Sequence, residues 1–272
     1  MRARISTLSF GAATVMALWI LPAMAEDTLR LGGTGGATAL LAHLGVPFTQ
    51  HTGIAVEVIP SLGSGGAISA VADGVLDVVV SGRPLSSSEL QRGVIQVAAL
   101  RTPYVFATSH LAPHSMSEGE IVNAYGAAKA TWPDGSIIKL ILRPRAESDN
   151  QVLMALFPGM TEALGRARTR PELPIAATDQ DNADMAERLT GSLIGTTYTQ
   201  VVMEVRKLRL IPIDGVTPTI ETFGSGAYRY TKVLYVAHQQ QPSARATRFV
   251  QFLLSDEGIR AMRAAGCLPG AT

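Results

Sequence analysis

Apolar positions along this chain alternate between two spacings. Leu29 and Leu31 lie two apart, as in a short strand, and run into the glycine turn at 32–36. Over residues 37–49 the spacing becomes helical, with Leu40, Leu41, Leu44 and Phe48 on one side. Residues 54–59 alternate as a strand and 67–73 read as a helix. Residues 77–80 hold three consecutive valines, the pattern of a strand buried on both faces. A β-α-β-α-β order of this kind predicts a parallel sheet with helices on both faces.

Residues 97–109 are extended and apolar around Pro103, and are predicted to leave one unit and enter another. A strand follows at 137–142, then helices at 151–157 and 161–168, broken by Pro158-Gly159. Helices at 183–189 and 200–207, strands at 208–213 and 230–237, and helices at 244–254 and 256–265 complete the pattern. No repeat or low-complexity tract intervenes. A boundary between units is therefore crossed by strands and not by a flexible tether.

Residues 60–85 speak most directly to function. Gly63-Ser64-Gly65-Gly66 is predicted as a turn after one strand, and Ser81-Gly82-Arg83 follows the next. Two strand ends thus deliver small, backbone-exposing residues to one sheet edge, an arrangement suited to holding an anion on N–H groups and hydroxyls. No nucleophile–base pair accompanies them. Gly63-Ser64-Gly65 lacks the G-x-S-x-G frame. No lysine follows either glycine turn as a P-loop requires, and Gly33, Gly35 and Gly36 do not complete G-x-G-x-x-G. The histidines (His43, His51, His110, His114, His238) include no helical metal pair, because Pro113 separates the two that are four apart. No catalytic residue, metal or cofactor is predicted.

The remaining features bound the setting. Arg2 and Arg4, the apolar stretch 10–21 and Ala23-Met24-Ala25 read as a cleavable secretory signal over 1–25, which predicts export. The formal charge of the chain is +1, and removing Arg2 and Arg4 makes it slightly negative. No basic field exists to attract nucleic acid. Cys267 is the only cysteine, so no internal disulfide forms, and it reads as a buried small side chain.

Taken in order, Thr34-Gly35-Gly36, Gly63-Ser64-Gly65-Gly66, residues 77–85, residues 143–150, Gly215-Val216-Thr217-Pro218-Thr219, Ser225-Gly226-Ala227-Tyr228, Phe249, Phe252 and Ser255-Asp256-Glu257-Gly258 carry a family resemblance. The chain resembles the periplasmic solute-binding proteins of ABC importers, in their phosphate-binding-protein-like branch. The resemblance implies a two-lobed α/β periplasmic binding protein type II fold. Each lobe would be a mostly parallel sheet with helices on both faces, with a hinge between them. Lobe one would comprise 26–105 and 225–272, and lobe two 106–224. It also implies a monomer with two partners, inorganic phosphate or a related oxyanion and the membrane permease of the importer. The alternative is a sensor, signalling or adhesion protein on the same fold, or a binder of sulfate, molybdate or tungstate.

The ligand residues implied are Thr34, Gly35 and Gly36 at one helix start, and Ser64 and Gly65 at another. Ser81 and Arg83 would follow the third strand, and Arg143, Arg145, Ser148, Asp149 and Asn150 would come from lobe two. Either Arg143 or Arg145 would supply the guanidinium fork. Arg83 would add a cation or cap its strand, and Asp149 would supply an acceptor or cap its helix. The family's phosphate binders carry an aspartate after the third strand that accepts from protonated phosphate. Gly82 stands there in this chain, so discrimination against sulfate is expected to weaken.

Overall fold

The computed structural model describes residues 28–60 and 62–270; the secretory signal expected at 1–25 lies outside them. The first strand, β1 (Leu29–Gly33), leads into α1 (Gly35–Thr52), whose Leu40, Leu41, Leu44 and Phe48 are all buried. Strand β2 (Val56–Ile59) and helix α2 (Gly63–Ala72) follow, then β3 (Val78–Ser81), buried along its whole length. Gly63 to Gly66 form the first turn of α2 and not a separate turn. Burial of Ala67, Ile68 and Val71 favours the helix, and first-turn amides have no intrahelical partner to lose.

After α3 (Ser87–Gln91) comes the longest strand, β4 (Val94–Thr108). Helix α4 (Glu118–Gly126), the two-residue strand β5 (Lys139–Leu140), and helices α5 (Ser148–Leu156), α6 (Met160–Ala167) and α7 (Asp179–Arg188) come next. Then follow β6 (Ser192–Thr197), α8 (Tyr198–Met203), β7 (Arg209–Ile211), α9 (Ile220–Gly224) and β8 (Thr231–Gln239). Helices α10 (Ala244–Leu254) and α11 (Asp256–Ala264) and strand β9 (Leu268–Pro269) close the chain. Three differences from the sequence pattern matter. The strand expected at 137–142 keeps only its middle, and α7 starts at Asp179, not at 183. Strand β6 had no forecast.

The strands run β2-β1-β3-β8-β4-β6-β5, with β7 and β9 also on β4. Pairing is parallel at both ends, β2-β1-β3 and β6-β5, and antiparallel where β4 and β8 cross between them. The β4–β8 pairing ends at Pro103 opposite Thr231, and the β4–β6 pairing begins at Tyr104 opposite Thr197. A residue without an N–H thus sits where the strand changes partner, the place where a missing donor disturbs the ladder least.

Two of the three hydrophobic clusters among the described residues flank this crossing. One gathers Leu31, Phe48, Leu234 and Phe249, and the other Tyr104, Phe106, Phe157 and Leu193. In the first, the Phe48 ring meets Phe249 and Phe252 edge-on at 5.3 and 5.7 Å. Cys267 lies in the same core, and burial pushes its thiol up to about 12, so it is an inert packing group. Among the described residues no helix is long and apolar enough to cross a membrane.

Phe48→Ala removes an unexposed ring and should cost about 3–5 kcal/mol. Urea unfolding should show this as a lowered midpoint with an unchanged slope.

Candidate functional site

Thr34 occupies the N-cap of α1, but its hydroxyl does not cap its own helix, and the first turn contains no acidic residue. The amides at a helix start need an acceptor from elsewhere, and here it comes from the start of α7, 143 positions away. Oδ2 of Asp179, the first residue of α7, accepts from the Gly36 N–H at 2.7 Å and from the Thr34 hydroxyl at 3.4 Å. Its Oδ1 accepts from Nη2 of Arg143 at 3.0 Å. One carboxylate therefore joins a helix N-terminus, a hydroxyl and a guanidinium, the donor set that suits an oxyanion.

The surroundings fix this geometry. Gln180 donates to the Gly35 carbonyl at 3.0 Å, and the buried Gln200 side chain donates to the Asp179 main-chain oxygen at 3.1 Å. Gly35 is required by the approach of α7, since a Cβ there would lie 2.6 Å from Oδ2 of Asp179. Arg143 also donates to the Ala176 carbonyl at 3.0 Å and lies 3.4 Å from Glu147. Burial raises the Glu147 carboxyl above its ordinary value despite the pull of Arg143. Behind the guanidinium, Arg143 Nε, Tyr104 Oη and Asn182 Oδ1 have no protein partner and border a cavity of about 10 Å³, enough for one water.

A second cluster lies at Gly82. Its N–H donates to Ser64 Oγ at 2.9 Å, and the preceding Ser81 donates to the Arg83 carbonyl at 2.7 Å, fixing the loop. A Cβ on Gly82 would lie 2.6 Å from Ser148 Oγ and 3.3 Å from Lys232 Cε. The space that a side chain at 82 would use is thus filled from α5 and β8. Lys232 of β8 and Asp149 of α5 form a buried ion pair beside it. Burial works against the lysine charge, but Asp149 and Asp179 outweigh it and hold the lysine pKa above its usual value.

Thr34, Gly35, Gly36 and Arg143 therefore converge on Asp179, while Ser64, Ser81, Ser148 and Asp149 cluster around Gly82. The other residues expected at the site are engaged elsewhere or lie at the surface. Arg83 directs both terminal nitrogens to Glu89, at 2.9 and 2.6 Å, within its own lobe. Arg145 and Gly65 are exposed. Asn150 donates to the Pro144 carbonyl at 2.7 Å and accepts from Arg168 at 3.0 Å, bracing the loop that carries Arg143.

Sequence reasoning missed Asp179, Gln180 and Lys232. Thr178 and Asp181 form a capping box, a signature that would have started α7 at Asp179. Lys232 is the only charged residue in the apolar run 230–237, itself a sign of a buried partner. Beside the cradle, Gly35, Gly63, Arg143, Glu147 and Asp179 line a cavity of about 100 Å³. A larger hollow of about 740 Å³ lies on the outer face of lobe one among His51, Arg248 and Arg260, away from these groups.

Residues 22–257 match the family model described as PBP superfamily domain. No curated protein matches the sequence significantly. Among solved structures, the chain is similar to a putative phosphate ABC transporter substrate-binding protein with bound phosphate from Clostridium perfringens. The TM-score is 0.76 at 14% identity, over 90% of this chain and 100% of that one. It is also similar to a periplasmic molybdate-binding protein from Azotobacter vinelandii, with TM-score 0.63 at 16% identity over 89% and 100% of the two chains. An ABC-type phosphate transport receptor from Vibrio cholerae gives TM-score 0.60 at 15% identity over 88% and 99%. At these identities the likeness establishes the fold.

Two outcomes follow from the buried charges. Lys232→Met should cost about 3–5 kcal/mol by leaving Asp149 unpaired, and Lys232→Met/Asp149→Leu should recover much of the loss; urea denaturation reads both. The bidentate bond from Arg83 holds Glu89 at about 2, against 4.5 when unperturbed. The pair therefore stabilises the fold fully above the unperturbed value and loses that contribution as pH falls toward 2. Arg83→Met should return the Glu89 titration, followed by NMR, to the ordinary range.

Proposed function

The chain belongs to the family described as PBP superfamily domain, and on that premise we propose that it is the periplasmic substrate-binding component of an ABC-type importer. It would receive phosphate or a similar tetrahedral oxyanion between its lobes and present it to a membrane permease. The observation that carries this reading is the convergence of the Gly36 amide, the Thr34 hydroxyl and the Arg143 guanidinium on two oxygens of one anionic group. Those two carboxylate oxygens stand in for two oxygens of the solute. Structures of a phosphate-binding and a molybdate-binding protein share the fold, which supports an oxyanion as the solute class.

On this reading Arg143, not the exposed Arg145, is the clamp. Lobe one is assigned to 26–105 and 225–272, lobe two to 106–224, and export to residues 1–25. On this reading the solute is bound and released unchanged, and Ser64 Oγ serves the loop by accepting from the Gly82 amide. With Gly82 offering no acceptor, sulfate, molybdate and tungstate remain in competition with phosphate. A second reading, a sensor or adhesion protein on the same fold, draws support from the cradle being filled by a carboxylate of the chain itself. Such a protein would need no free anion.

Calorimetry of ligand-stripped protein with phosphate, sulfate, molybdate and tungstate should give saturable heat with at least one of them. Arg143→Ala should weaken binding roughly ten- to a hundredfold, the loss of one charge-assisted interaction, and Arg145→Ala less than about twofold. Silence with all four anions, in the native chain and with the occupying carboxylate removed, overturns the receptor reading in favour of the second.

A further inference from the structure

We infer that Asp179 is an intramolecular ligand of the oxyanion cradle, so that a solute enters only by displacing it, and that this competition sets both the affinity and the resting shape of the protein. The inference rests on the oxyanion reading above and adds a competitor to it.

The geometry leaves no room for both groups. Oδ2 lies 2.7 Å from the Gly36 amide and Oδ1 lies 3.0 Å from Arg143, so the carboxylate spans the whole distance between the lobe-one donor and the lobe-two donor. The Asp179 side chain is only 7% exposed, and Gly35 presses against it. A tetrahedral anion using the same amide and the same guanidinium would have to occupy the same atoms' positions. The charges facing the cradle argue in the same direction. Arg143 and the Lys232–Asp149 pair lie on one side with Glu147, so carboxylates outnumber cations while Asp179 is in place. An added anion is repelled until that carboxylate turns aside.

Asp179 also bridges lobes. Gly36 opens a helix of the first core, whereas α7 packs on β6 of the second. Gln180 repeats the bridge through the Gly35 carbonyl. The interlobe contact that a solute would make is thus already made, and the closed form is available without solute. Apparent affinity is then reduced by the fraction of molecules whose cradle is vacated.

Phosphate titration by calorimetry, in parallel with small-angle scattering, tests this on the full exported chain. Asp179→Ala clears the cradle, and Asp179→Asn keeps the side-chain shape while removing its charge, which guards against a folding defect in the first. Both should bind phosphate about tenfold or more tighter than the native chain. Adding Arg143→Ala should abolish the gain. Without phosphate, the native chain should scatter as a closed particle, and Asp179→Ala as an expanded one that contracts on adding phosphate. Equal phosphate affinity in native and both variant chains overturns the inference and leaves the receptor reading standing. An open native chain without phosphate likewise overturns it. Failure of every chain to bind any of the four anions overturns both.

Discussion

A guanidinium taken out of water must be met by negative charge. Arg143, 6% exposed, imposes that requirement on the centre of this molecule. The start of α1 imposes a second one, because the Gly36 amide has no side-chain cap of its own helix to donate to. A single carboxylate satisfies both. To bring it there, α7 must begin beside the start of α1, residue 35 must be a glycine, and Gln200 must hold the aspartate backbone from behind. Much of the interlobe architecture is an answer to these two buried demands.

The neighbouring contact follows the same logic with opposite sign. The Lys232 side chain of β8 is only 1% exposed, and Asp149 of α5 neutralises it. Ion pairs of this kind contribute little net stability compared with an apolar filling, but they specify one arrangement, because a lone buried charge in any other is costly. Two such pairs, Arg143–Asp179 and Lys232–Asp149, define one particular packing where hydrophobic contact alone would tolerate several.

Much of the fold was legible because periodicity reports burial. The β-α-β-α-β beginning, the apolar stripe of α1 and the run Val78–Val80 each carry their own signal. Strand β6 escaped because Ser192, Gly195, Thr196 and Thr197 interrupt its apolar residues, and burial came from its partners and not from its side chains. That the start of α1 and Arg143 belong together was legible from the sequence, and both meet at Asp179. Asp179 was not, since its role depends on a contact across 143 positions of sequence that local pattern does not encode. Arg83 showed the converse: it read as a possible cleft cation, yet Glu89, six residues on, holds it by a shorter route.

The switch of partners at Pro103 has an architectural consequence. Strand β4 is one unbroken element of fifteen residues, with its first part in the sheet of one core and its last part in the other. Neither lobe is a module in the sense of a piece that can be excised or exchanged whole. A chimera that imported a foreign second lobe would have to splice inside a hydrogen-bonded strand and would inherit half of its ladder from each parent. Diversification of such a chain is therefore easier through the loops that rim the cleft than through recombination of its halves.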